Sequence, residues 1–235
     1  MPDTASNLGR VVPVAARTNA PRHGAIVRVT HWVTAACFLA LLISGMEVVV
    51  SHPRFYWGEN GNVLMPALFS IPIPASRATV PTGYGYVLPD QNGWSRYLHF
   101  EAAWALVFSG AVYVIFGALS GHFRRNLFPD AKPPVKADAW SYNPLQRLTY
   151  LVVIFLLFPF VIWTGLAMSP AFVSVLPSTV TLLGGRQSAR TLHFFLSVSL
   201  VIFLLVHVTM VWLSGFTDRV MAMIHGRVRV GTEPE

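Results

Sequence analysis

The chain has 235 residues, of which 54% are hydrophobic and only 11% charged, with a formal net charge of +7. A soluble domain carries about 25% charged residues, so this composition, with a mean hydropathy of +0.53, excludes a protein whose whole surface meets water. The positive charge does not point to nucleic acid, because the basic residues fall in the gaps between apolar runs and form no recognition face.

The first 25 residues are a polar arm with no apolar stretch followed by a small-residue cleavage site, so no cleaved signal is expected. A membrane-spanning helix needs roughly 20 mostly apolar residues, and the run from Ile26 to Val50 supplies them. It contains the single cysteine, Cys37, which rules out an internal disulfide; with no CxxC or CxxCH motif, the sequence also speaks against covalent c-type haem and iron–sulfur clusters. The connection over residues 51–96 is long and rich in Pro, Gly and aromatics, as in His52-Pro53-Arg54-Phe55-Tyr56-Trp57-Gly58. Loops of this length are usually functional or disordered, and the aromatic content argues for order. It reads as an outer cap suited to docking a partner, as an interfacial aromatic belt, or as both.

The second predicted span runs from Tyr97 to Ser120 and is followed by Arg124-Arg125. The third covers Leu148 to Ser169, where Pro159 should kink the helix. The fourth covers Thr191 to Ser214, and the tail, residues 216–235, is expected to begin as a short surface helix. These long runs lack the alternation of a lipid-facing barrel. The expected class is an all-α membrane protein: a four-transmembrane-helix bundle in one domain over residues 26–215, with a long outer loop between helices 1 and 2. Twelve of the seventeen Lys and Arg residues lie in the N-terminal arm, the second connection and the tail, which places both termini in the cytoplasm of a bacterial inner membrane.

Four of the eight histidines lie within the spans: His31, His99, His193 and His207. Ionisable residues inside a membrane are costly and usually functional. Any one of them alone reads equally well as a satisfied core residue, so the set carries the argument. His193 and His207 are fourteen residues apart, close to four helical turns, so they share one face about 21 Å apart along the axis. Each needs a partner at its own depth, and topology pairs His31 with His207 and His99 with His193. Two stacked bis-histidine sites suit b-type haem, and thus two haem b groups, in a helix bundle. The inner pair is expected to need a helix tilt, because His31 looks nearer its helix end than His207 does.

Gly45 lies fourteen residues after His31 and leaves room for a flat macrocycle at the depth of the other site. Gly110, Gly117 and Gly165 read either this way or as ordinary small-residue packing. Arg28, Arg96 and Arg190 each precede a histidine by three residues. They suit haem propionates or plain snorkelling.

The motifs Arg28-x-x-His31-Trp32 with Ser44-Gly45, Arg96-x-x-His99-Phe100, and Arg190-x-x-His193-Phe194 with His207 resemble the prokaryotic four-helix di-haem cytochrome b family. This family includes the b-type subunits of nickel–iron hydrogenase, formate dehydrogenase and thiosulfate reductase, and cytochrome b561-like proteins. The resemblance covers about Arg28 to Gly215. It implies that the four histidines are axial ligands, and that electrons pass between quinone and a partner redox subunit. The loop 51–96 looks more like the branch beside periplasmic molybdopterin oxidoreductases, and would be the docking surface. The alternative within this architecture is a stand-alone superoxide:quinone oxidoreductase. Asn143 and Gln146 are candidates to line a quinone site.

Overall fold

The computed structural model describes residues 24–62, 64–72, 92–126 and 144–226. In chain order these form α1 (Ala25–Ser51), the short strands β1 (Arg54–Phe55) and β2 (Phe69–Ser70), α2 (Asn92–Leu119), α3 (His122–Asn126) and α4 (Pro144–Val152). A π-helical turn (Val153–Leu157) leads into α5 (Phe158–Ala167), followed by α6 (Pro170–Val175), α7 (Ser178–Thr181), α8 (Arg186–Leu213) and α9 (Phe216–His225). Four helical stretches are long and apolar enough to cross a membrane: Ala25–Ser51, Gly93–Leu119, Leu148–Ala167 and Arg186–Leu213. Helices are the natural form for such runs, because each satisfies its own backbone N–H and C=O groups where lipid cannot. The protein is an all-α membrane bundle.

α1 packs along α2, and α5 along α8. Small and hydroxylated residues permit the first contact: Thr30, Cys37 and Ser44 are buried on α1, and Ala102 and Ser109 on α2. The Ser109 hydroxyl donates to the Thr30 carbonyl at 3.2 Å and lies 3.3 Å from the Thr34 hydroxyl. In the third span the expected kink takes a specific form. Pro159 has no N–H for the carbonyl four residues back, and its ring crowds that turn. The helix answers by widening into the π turn immediately before it. The tail does begin as a short helix, α9, tied to α1 where Arg28 Nη1 donates to the Ile224 carbonyl at 2.7 Å.

The connection between α1 and α2 holds an antiparallel pair in which Arg54 faces Ser70 and Phe55 faces Phe69. The Phe55 and Phe69 rings stack at 4.5 Å, and Phe55 also meets Phe194 of α8 at 4.6 Å. Past β1 the chain clamps the start of α8. The Gly58 carbonyl accepts from Gln187 N at 2.9 Å and Ser188 N at 3.2 Å, while Gly58 N donates to Ser188 Oγ at 2.8 Å. These bonds occupy N–H groups that a helix N-terminus otherwise leaves unpaired. Thr191 Oγ1 donates to the Tyr56 carbonyl at 2.7 Å, and Glu59 accepts from Arg186 N at 3.1 Å. The third connection is folded as well: Ala167, Val180, Leu183 and Ala189 form a small core beneath it.

Gly185 sits at the centre of this clamp with φ +115°, and a Cβ there would stand 2.5 Å from the Gly58 backbone. Both the backbone conformation and the space demand glycine. Gly185→Ala should therefore destabilise the protein by about 2 kcal/mol or more. Thermal unfolding of the detergent-purified protein, with proteolysis within the hairpin as a local probe, would measure it.

Candidate functional site

The four membrane histidines meet as two pairs. His31 on α1 faces His207 on α8 with ring centroids 6.3 Å apart and planes at 60°. His99 on α2 faces His193 on α8 at 6.2 Å and 63°. The helix ends explain the match in depth. His31 lies six residues after the start of α1 and His207 six before the end of α8, while His99 and His193 each lie seven residues inside their helix starts. The inner pair thus needs no special tilt. The expectation of a mismatch came from placing the helix ends one or more residues away from where they fall.

At the hairpin end, each ring is held from the neighbouring helix. His99 Nδ1 lies 3.1 Å from the Ser44 hydroxyl, and His193 Nδ1 lies 3.0 Å from the Thr164 hydroxyl and 3.1 Å from the Val161 carbonyl. The residue after each hydroxyl is a glycine that the ring approaches closely. A Cβ on Gly45 would meet His99 Cε1 at 3.6 Å, and one on Gly165 would meet His193 Cε1 at 3.4 Å. At the other end the rings rest on aromatics: His31 against Trp32 edge-on at 5.4 Å, and His207 stacked with Phe203 at 5.7 Å and edge-on to Tyr150 at 6.4 Å.

The arginines are distributed differently. Arg190 donates from its guanidinium to the His52 carbonyl and lies over the Phe55 ring at 5.1 Å. Arg96 is exposed at the same end. Arg28 is at the opposite end, bound to the Ile224 carbonyl. Gly110 has open space where a Cβ would be, and Gly117 packs under Phe123 instead of a histidine. Asn143 and the Gln146 side chain lie outside the described residues.

The donor set fits a haem. A metal–imidazole bond is about 2.0–2.1 Å and the ring centre lies roughly 1 Å further back, so two imidazoles on opposite sides of one metal stand about 6 Å apart, centre to centre. No hydrogen bond joins the rings within either pair among the described residues. Nor does any group of three or more His, Cys, Asp or Glu converge there, as a bare metal ion would require. A porphyrin brings its own equatorial nitrogens and needs two axial donors from the protein. Gly45 and Gly165 lie against the imidazoles of His99 and His193, where a Cβ would make ordinary van der Waals contact with the rings.

Residues 22–226 match the family described as prokaryotic cytochrome b561. The chain belongs to that family. It is accordingly a multi-pass bacterial membrane protein that binds haem b and transfers electrons. It is also 30% identical over 222 residues, 87% of this chain and 96% of the relative, to the putative protein-methionine-sulfoxide reductase subunit YedZ1 of Azospira oryzae. No solved structure matches significantly. For this b561-family chain, the sequence singled out Ser44 only as part of the Ser44-Gly45 motif, and neither the Thr164 hydroxyl nor the backbone clamp on α8 was legible as a site feature. The available signal was a repeat: Arg-x-x-His-Phe occurs at 96–100 and 190–194, and a hydroxyl-glycine pair occurs at 44–45 and 164–165.

His52, just outside the first span, carries a pH signature. Burial, and then the neighbouring Arg190 and Arg96 charges, hold its imidazole below the ordinary value near 6.5. Below about pH 6.5 the unfolded chain takes up a proton that the folded His52 refuses, so stability falls as the solution acidifies, until the folded group also titrates. His52→Gln should flatten that part of the Tm–pH curve between about pH 5 and 7, read by thermal melts.

Proposed function

We propose that this protein carries electrons across the bacterial inner membrane between the quinone pool and a partner oxidoreductase, using two haem b groups with the axial pairs His31/His207 and His99/His193. The single observation that carries the reading is the facing of two histidine pairs at 6.2 and 6.3 Å, with one member of each on α8. When bound, haem b supplies a one-electron iron couple. The chain's own residues do the rest. α8 sets the two sites about 21 Å apart along its axis. Arg96 and Arg190 at the hairpin end, and Arg28 at the tail end, offer guanidinium groups to haem propionates. The apolar helix faces keep water from the interior of the wire.

The hairpin end faces the periplasm and both termini the cytoplasm, in keeping with the distribution of basic residues. Quinone reacts at the tail end. There Arg28, Val29 and Trp32 of α1 and Met223 and Ile224 of α9 line a mainly apolar groove of about 480 Å³, next to His31. The partner docks over residues 51–96, where Trp57, Leu64 and Leu68 are exposed. The name of the Azospira relative, a reductase subunit, supports a partner-bound role over a stand-alone superoxide:quinone oxidoreductase. A molybdopterin-dependent partner is the narrower form of the same proposal.

Haem content of purified variants tests the ligands. His99→Ala and His193→Ala should each remove the same half of the b-type absorbance, and the double variant should remove no more. His31→Ala and His207→Ala should remove the other half. Unchanged haem content in any of them overturns that pairing. Affinity purification from native membranes tests the partner, and recovery of a redox subunit that is lost on deleting residues 59–68 is the expected result.

A further inference from the structure

The hairpin-end histidines differ from the tail-end ones in a way that the family resemblance does not require. Ser44 and Thr164 are both fully buried at 0% exposure. Each hydroxyl already spends its one hydrogen on its own helix. Ser44 donates to the Ala40 carbonyl at 2.7 Å, and Thr164 to the Val161 carbonyl at 2.9 Å or the Phe160 carbonyl at 3.1 Å. What remains on each oxygen is its two lone pairs, which can only accept. The proton between it and the imidazole therefore sits on Nδ1. At His193 the Val161 carbonyl, an acceptor only, faces the same nitrogen and requires the same tautomer. Nε2 of both rings is consequently the unprotonated nitrogen, available as a metal donor. His31 and His207 have no hydrogen bond to any described residue, so nothing comparable fixes their tautomers.

The arrangement is built twice. Ser44-Gly45 on α1 serves His99 on α2, and Thr164-Gly165 on α5 serves His193 on α8. In each case the hydroxyl lies within hydrogen-bond reach of Nδ1 and the following glycine packs beside the ring. The tail-end pair breaks the repeat. Fourteen residues before Gly45 is His31, but fourteen before Gly165 is Leu151, and fourteen after His99 is Tyr113.

We infer that Ser44 at His99, and Thr164 together with the Val161 carbonyl at His193, are positioning groups that hold both rings in the Nδ1–H tautomer, strengthen both as iron donors, and thereby selectively lower the reduction potential of the hairpin-end haem. A hydrogen bond accepted from the distal N–H of a ligating imidazole raises its basicity, and a more basic axial donor favours the oxidised iron. The inference rests on the ligand pairing proposed above.

The test is a redox titration of the purified, haem-loaded protein carrying Ser44→Ala, Thr164→Val or both. Thr164→Val leaves the Val161 carbonyl on His193 Nδ1 and should act more weakly; loss of the hydrogen bond in Ser44→Ala, worth about 1 kcal/mol, should shift the reduced-to-oxidised ratio of one haem toward the reduced form by roughly fivefold at fixed potential. That corresponds to about +40 mV for a one-electron couple. The shift should be larger in the double variant, and the second haem should not move. Ser44→Thr and Thr164→Ser keep the hydroxyl and should restore the parental potential. Two unmoved potentials in variants with full haem content would overturn the inference. So would a shift of both haems together, or conservative variants that fail to restore the value. Should Ala or Val cost haem, the same comparison is made between the conservative variants and the parent, and retention of both haem and potential is required. The ligand pairing is tested separately by haem content in His99→Ala and His193→Ala, so failure of that pairing is distinguishable from failure of the tuning.

Discussion

One straight helix governs the arrangement. α8 carries His193 and His207 on a single stripe, and the 1.5 Å rise per residue fixes their separation at about 21 Å. The partners come from different helices, α1 and α2, which run in opposite directions, so each presents a histidine close to its own N-terminal end. Antiparallel packing of α1 on α2 therefore delivers one histidine to each end of the bundle. No loop has to position any of the four histidines. The geometry is carried by helices whose backbone bonds are satisfied internally and are costly to disturb in lipid.

Because α8 matters so much, its start is held firmly. The Gly58 carbonyl and the Glu59 carboxylate take up N–H groups of Arg186, Gln187 and Ser188, and Thr191 and Arg190 bond back to the carbonyls of Tyr56 and His52. The aromatic stack of Phe55 and Phe69 on Phe194 lies one residue from His193. The connection between α1 and α2 thus acts on the site as well as covering it. It fixes the axial position of α8, and with it the depth at which His193 meets His99.

Much of this was legible in the sequence, for physical reasons. Long apolar runs announce spans, and a histidine inside one stands out because burying it is expensive. The fourteen-residue interval between His193 and His207 then fixes their common face. The clamp was not legible, because Gly58 and Gly185 meet through backbone atoms, and such a contact leaves no side-chain pattern to read. Thr164 was hidden for another reason: a threonine in a membrane helix usually bonds its own i−4 carbonyl, and only the three-dimensional neighbour shows where its lone pair goes. Pro159 signalled a distortion, but the sequence does not distinguish a π turn from a simple bend. The start of α1 and the end of α8 were each off by one residue, enough to suggest a depth mismatch for His31 that the true ends remove.

The sharing of α8 by both pairs also has a consequence for biogenesis. A chain enters the membrane from its N-terminus onward, and α8 is the last of the four spans to emerge. His31 and His99 are in place early, but each waits for a partner that arrives only with that final segment. Neither pair closes before synthesis of the bundle is essentially complete. Under the ligand pairing proposed above, the half-made protein would offer no complete cofactor site, and both ends would mature in a single late assembly event.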